Sequence, residues 1–213
     1  MASMISLAQP TRILTHAAPS KSDFYRDVAL LRARNGTAGQ FSNDSFDNSA
    51  AIHEAMFATS KDRVRVIARG IKPEIFENAN VIAAALKFVR NSDVSVIFDI
   101  RTDLDSKADC EHWFKANRFV SSLLRVKHDT TKVSVSFYLP KKDKKDNDFL
   151  RGFGSASLGD DRMYRQRSVQ ANGDYTSHGR SNVDFCDREK VSQIETRANE
   201  LLGKECLLAN VSA

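Results

Sequence analysis

Four aspartates, Asp99, Asp103, Asp105 and Asp109, follow closely behind the apolar run Val94 to Phe98. Closely spaced carboxylates can hold a hard cation such as Mg²⁺, and the C-terminal end of a buried strand is where open α/β sheets place ligands. Asp99, Asp103 and Asp105 are therefore the metal candidates. Aspartate is also favoured at helix starts, through capping and the helix dipole. That plainer reading fits Asp105-Ser106, so the expectation is no bound metal and no other cofactor. Cys110-Glu111-His112 and His53-Glu54 offer at most two neighbouring ligands each, short of a tetrahedral zinc set.

The basic residues carry a second kind of chemistry. Lys141, Lys142, Lys144 and Lys145 fall in one charged loop, and Arg162, Arg165 and Arg167 fall on or beside a strand. Side chains of a strand repeat every second residue, so Arg165 and Arg167 share a face and Tyr164 points the other way. With the loop folded over them and Arg180 added, the eight cations would form a strip for phosphate or nucleic acid, whose affinity falls steeply with salt. The competing reading is a solvated loop, because Asp143, Asp146 and Asp148 are interleaved with the lysines. A net charge of +5 is compatible with a polyanionic partner without requiring one. Gly152-Phe153-Gly154 is only a fragment of a glycine-rich phosphate loop, with no helix expected to follow it.

These groups need a scaffold, and the apolar periodicity outlines one. Residues 1 to 48 read as a flexible arm, with one helix over Ser22 to Arg34 capped by Ser22 or Asp23. After it comes a polar linker through Gly36, Gly39 and Ser42 to Asn48. The main domain, residues 49 to 213, then alternates. A short helix over 49 to 60 precedes a strand at Val64 to Ala68. Pro73 opens a helix that runs to about Val89. Val94 to Asp99 is a strand apolar enough to be covered on both faces. A helix over Ser106 to Leu124 precedes Val133 to Leu139, whose apolar residues alternate with period two. Strands around Phe149 to Leu158 and Arg162 to Ser168 flank the turn Gly159-Asp160-Asp161. A last helix runs from Asp187 to Leu202 and stops at Gly203. The fold class expected is α/β, three-layered, with helices on both faces of a mixed sheet.

This order, with the residues it carries, resembles one half of a phospholipase D-like protein. The matching segments are Val94-Ser95-Val96-Ile97-Phe98-Asp99, the Gly-Asp turn, Arg162-Met163-Tyr164-Arg165, and Asn182-Val183-Asp184-Phe185-Cys186-Asp187 before the closing helix. The resemblance covers roughly residues 49 to 203. The family's signature is His-x-Lys followed by Asp, in which the histidine attacks phosphorus and the lysine stabilises phosphoryl charge. No His-x-Lys occurs here, and Phe153-Gly154-Ser155-Ala156-Ser157 stands where it should lie. The nearest imitation is His178-Gly179-Arg180, with Asp184 one place short of the aspartate spacing. The resemblance thus implies a degenerate member, with His178 and Asp184 as its remaining catalytic candidates. It also implies pairing of single halves as a homodimer.

The compartment expected is cytoplasmic. Three widely spaced cysteines make no secreted disulfide framework, and no stretch reaches the roughly 18 apolar residues of a membrane span. The function expected is a non-catalytic or atypical phospholipase D-like domain that dimerises and binds nucleic acid or another phosphate-rich ligand. Two alternatives stand beside it. One is an active phosphodiesterase or nuclease using His178 or the acids from Asp99 to Asp109. The other is a subunit of a larger complex that docks a protein partner through residues 1 to 48.

Overall fold

The computed structural model describes residues 20–139, 153–167 and 181–212. Lys141, Lys142, Lys144, Lys145, His178 and Arg180 lie outside the described residues. Helix α1 spans Lys21–Asn35, and Ser20 with Asp23 forms a reciprocal capping box at its start. Its end is Gly36, at φ 57°, a left-handed conformation that suits glycine. Strand β1 (Phe41–Asn43) follows, then α2 (Phe46–Thr59), capped by Ser45. Strand β2 (Arg63–Ala68) leads to α3 (Pro73–Phe76) and α4 (Ala79–Val89), which Asn78 separates by capping the second. Strand β3 (Ser95–Arg101) precedes α5 (Lys107–Ala116) and α6 (Arg118–Val126), and β4 is Lys132–Leu139.

The second half supplies β5 (Ala156–Gly159), β6 (Met163–Arg167), β7 (Ser181–Asp184), α7 (Arg188–Leu202) and β8 (Cys206–Ser212). The eight strands form one sheet in the order β1-β7-β6-β5-β2-β3-β4-β8. The three central strands β2, β3 and β4 run parallel, and every other pairing is antiparallel. The expected mixed sheet is thus observed. So is its covering by helices on both faces. Val64, Val66, Val96, Phe98, Val133 and Val135 turn one way, into the core formed with α2, α4 and α6. Ile67, Leu158 and Tyr164 turn the other way, onto Val191, Ile194 and Ala198 of α7. Tyr164 and Arg165 therefore face opposite sides, as the alternation requires.

Two expectations give way. Residues 20 to 48 are not a separate arm, because α1 packs its Ala29, Leu30 and Ala33 against Ile52 and Met56 of α2 and Val183 of β7. The presumed linker contains β1, which pairs with β7 through Phe41 opposite Val183 and Asn43 opposite Ser181. The domain boundary near Ser49 thus runs through continuous structure. The single helix expected from Ser106 to Leu124 is two, broken at Asn117. Its side chain accepts from Val120 N and starts a new helix in place of continuing the old one.

Among the described residues, no helix is long and apolar enough to cross a membrane.

Candidate anion-binding pocket

The face of the sheet that carries α2 holds a pocket of about 550 Å³. Its floor follows from register. Ser157 of β5 lies opposite Val66 of β2 on one side and Arg165 of β6 on the other, and Arg165 lies opposite Val183 of β7. These side chains share one row. The next row brings Arg167 and Ser155 to the same side, with Arg167 N donating to Ser155 O at 2.8 Å. Over this floor stands the N-terminal part of α2, from whose successive turns Ser45, Phe46, Ser49 and His53 enter the pocket. Asn43 closes the end at β1, and Lys72, Ile75 and Phe76 form the opposite wall.

Ser49 organises the interior. Its hydroxyl donates to Ser45 O at 2.8 Å and accepts from Asn43 Nδ2 at 3.2 Å and from Arg165 Nη2 at 3.1 Å. Its carbonyl lies 2.7 Å from Nδ1 of His53. A carbonyl only accepts, so Nδ1 carries the proton and Nε2 presents a lone pair. Ser157 Oγ, 2.8 Å from that Nε2, is then the donor. A serine hydroxyl hydrogen-bonded to an imidazole is the arrangement of a nucleophile and its base. Burial first, then the positive charge of Arg165, brings the His53 pKa down to about 3. So weak a base cannot activate Ser157 near neutral pH. The pair is instead a neutral, hydrogen-bonded wall.

Arg165 is the unusual group. Only 8% of it is exposed, and its Nε is buried with no hydrogen-bond partner. No carboxylate pairs with it among the described residues. Burial, followed by repulsion from Arg167, brings its pKa down to about 10, with the phenol of Tyr25 acting in the opposite direction. A buried cation without a counter-ion is costly, so its place in a pocket at a helix N-terminus reads as a waiting anion site.

Arg165 and Arg167 are the only two described members of the expected cationic strip that the structure brings together in the pocket. Arg162 is placed elsewhere. Its guanidinium donates to the carbonyls of Phe185 at 3.0 Å, Ala33 at 3.2 Å and Thr59 at 3.4 Å, tying α1, α2 and β7 together. Asp184, a catalytic candidate, accepts from Gly39 N at 2.9 Å and Cys186 N at 2.7 Å. Asp99 lies on the far face, where Arg65 Nε meets its Oδ2 at 2.7 Å. Arg65 also reaches Glu195 and Asn199 of α7, and Arg63 grips Glu195 through two hydrogen bonds. Asp109 is held by Ser106 at the start of α5, as the capping reading expects, while Asp103 and Asp105 are exposed. No group of three or more His, Cys, Asp or Glu able to hold a metal occurs among the described residues.

His53, Ser49, Asn43, Phe46 and Lys72 escape a reading of motifs. Only His53 gave a signal, as an ionisable residue set among the alanines of an apolar helix.

No family profile matches the chain, and no curated protein matches it. Similar solved structures exist. An archaeal chromatin protein, TrmBL2, described as showing a novel mode of DNA binding, gives a TM-score of 0.43 at 14% identity over 88% of this chain. The match spans 62% of the archaeal chain. Nuc from Salmonella typhimurium, a phospholipase D family member, gives 0.44 at 10% identity, over 80% of this chain and 97% of that one. NucT from Helicobacter pylori gives 0.43 at 12% identity, over 80% and 98%.

Proposed function

We propose that this chain is a non-hydrolytic phospholipase D-like domain that binds a phosphate-bearing ligand, nucleic acid foremost, and works as a homodimer. The observation that carries the reading is Arg165, a buried guanidinium with no acid partner among the described residues, set in the pocket beside Ser155 and Ser157. Those two serines fall in the segment where the resembled family keeps its His-x-Lys. Neither can attack phosphorus as a histidine does or hold charge as a lysine does. What the pocket offers is static: a buried guanidinium and a second arginine, both of which suit a bound phosphate.

Lys141, Lys142, Lys144, Lys145 and Arg180 would extend this contact along a polyanion, each phosphate contact adding to the salt dependence. For the homodimer, support comes from α1, where Phe24 is 67% and Leu31 59% exposed, two helical turns apart on the outer surface. Apolar side chains so placed suit a self-complementary contact between two copies.

The test incubates the pure protein with labelled single- and double-stranded DNA and RNA, with and without Mg²⁺, at two salt concentrations. A salt-sensitive shift with the nucleic acid left intact supports the proposal. Cleavage would overturn the non-hydrolytic part and direct attention to His178. Absence of both binding and cleavage would overturn the nucleic-acid reading and favour a protein partner. Sedimentation of the wild type and of a Phe24→Glu/Leu31→Glu variant checks the dimer separately.

A further inference from the structure

The pocket lining is of two chemical kinds, and this limits what fills it. Arg165, Arg167, Ser49, Ser155 and Ser157 are polar or cationic, while Phe46, Ile75, Phe76, Val66 and Ala68 are apolar, with Arg69 and Lys72 among them. Phe46 is the first residue of α2 and 48% exposed, although it is a large apolar side chain. Lys72 Nζ lies over its ring, 5.2 Å from the centroid. A ring polarised by a cation and open to solvent is a stacking platform for a flat, electron-rich partner.

Size and charge narrow the choice further. A volume of about 550 Å³ lies within the range of small-ligand pockets, and it is far too small to admit a double helix. Asp44 stands at the rim, two residues before Phe46, with its carboxylate accepting from Asn48 Nδ2 at 3.4 Å. An acid there opposes a run of phosphates at the mouth and favours a single one deeper in, at Arg165. The same carboxylate can accept from a base amino group or a sugar hydroxyl.

We infer that the pocket holds one nucleotide unit, with its phosphate on Arg165 and its base against Phe46. This deepens the phosphate-binding reading and rests on it. Nucleic acid would then be engaged at an unpaired nucleotide, either a strand end or a base turned out of its stack, and the duplex backbone would meet only the outer cations.

Titration calorimetry on the full chain tests this with four probes: a nucleoside monophosphate, the same nucleoside without phosphate, inorganic phosphate, and a blunt duplex. The monophosphate is expected to bind at least tenfold more tightly than inorganic phosphate, with the bare nucleoside weaker than the monophosphate. Phe46→Ala should weaken the monophosphate about tenfold, the scale of one base stack. It should leave inorganic phosphate unchanged. Arg165→Met should abolish binding of both phosphate compounds. Arg165→Lys, which keeps charge but not the planar fork, should restore it in part, and it serves where the methionine variant does not fold.

Equal affinity for monophosphate and inorganic phosphate, with Phe46→Ala silent, would sink the nucleotide inference and leave the phosphate pocket standing. No binding of either phosphate compound would sink both. Binding of the duplex alone would place the contact outside the pocket and overturn the inference.

Discussion

Arg65 and Asp99 form a buried ion pair between neighbouring parallel strands, with Arg65 Nε 2.7 Å from Asp99 Oδ2. Tyr138 of β4 adds its hydroxyl to the other carboxylate oxygen at 3.4 Å. Asp99 thus locks the sheet to α7 through Arg65 and Glu195. Asp99→Ala should cost about 3 kcal/mol of stability, because it leaves Arg65 charged, buried and short of its closest partner. Chemical denaturation measures this. A variant of normal stability that loses Mg²⁺-dependent activity would show instead that Asp99 serves a metal.

Arg165 should behave in the opposite way. No carboxylate among the described residues pairs with its buried charge, so replacing it by methionine, similar in reach and apolar, should raise stability by about 1 kcal/mol in the ligand-free protein. The same change should remove binding of phosphate compounds. A thermal melt of wild type and Arg165→Met, with and without inorganic phosphate, reads both effects. A less stable variant would mean that the guanidinium is part of the fold's support.

His53 predicts a pH dependence. Its folded pKa of about 3 lies below the ordinary value of 6.5, so between these values the unfolded chain binds the extra proton. Stability from this group is complete above pH 6.5 and falls as pH drops toward 3, by about 1.4 kcal/mol per unit once well below 6.5. Denaturant midpoints between pH 7 and pH 5 should decline in the wild type. The decline should be shallower in His53→Gln by about one proton. Parallel curves would show that His53 titrates normally.

Asp160 is a structural acid. It holds φ 51°, and its carboxylate accepts the backbone N–H groups of Lys61, Asp62 and Arg63, each at 3.0 Å. These contacts fasten the β5–β6 turn to the start of β2. Asp160→Ala should cost about 2 kcal/mol, since several charge-assisted hydrogen bonds are lost at a partly buried site. Asp160→Gly keeps the conformation without the carboxylate, and urea titration of the two variants separates the two contributions. Near-wild-type stability in both would show the contacts to be idle.

The central strands were readable because burial on both faces leaves a near-continuous apolar run, as at Ser95 to Ile100. The edges were not. Phe41-Ser42-Asn43 and Ser181-Asn182-Val183-Asp184 are short and polar, and they become strands only by pairing with each other, with β6 beyond them. No local property announces such a contact. The alternation of Arg165 and Arg167 was legible as a shared face, and the pocket was not. It joins one residue of β1, the N-terminal part of α2, Ser157 of β5 with Ser155 just before it, and two arginines of β6, and the register of the sheet aligns them. Arg162 shows the converse. Its type and spacing match those of its neighbours, yet it caps three carbonyl groups because the turn before β6 aims it at the ends of α1 and α2.

The pairing of β1 with β7 also bears on how the chain comes to fold during synthesis. Gly39 N meets the Asp184 carboxylate across 145 residues, so β1 waits for a partner made long after it. A growing chain exposes Phe41 and the inner side of α1 until β7 has left the ribosome. Closing so long a loop is slow, and it comes after the local helix contacts and the parallel pairs have formed. Until β7 arrives, α1 and β1 lack the strand they pack and pair with, and the sheet on the Arg165 side of the pocket is incomplete.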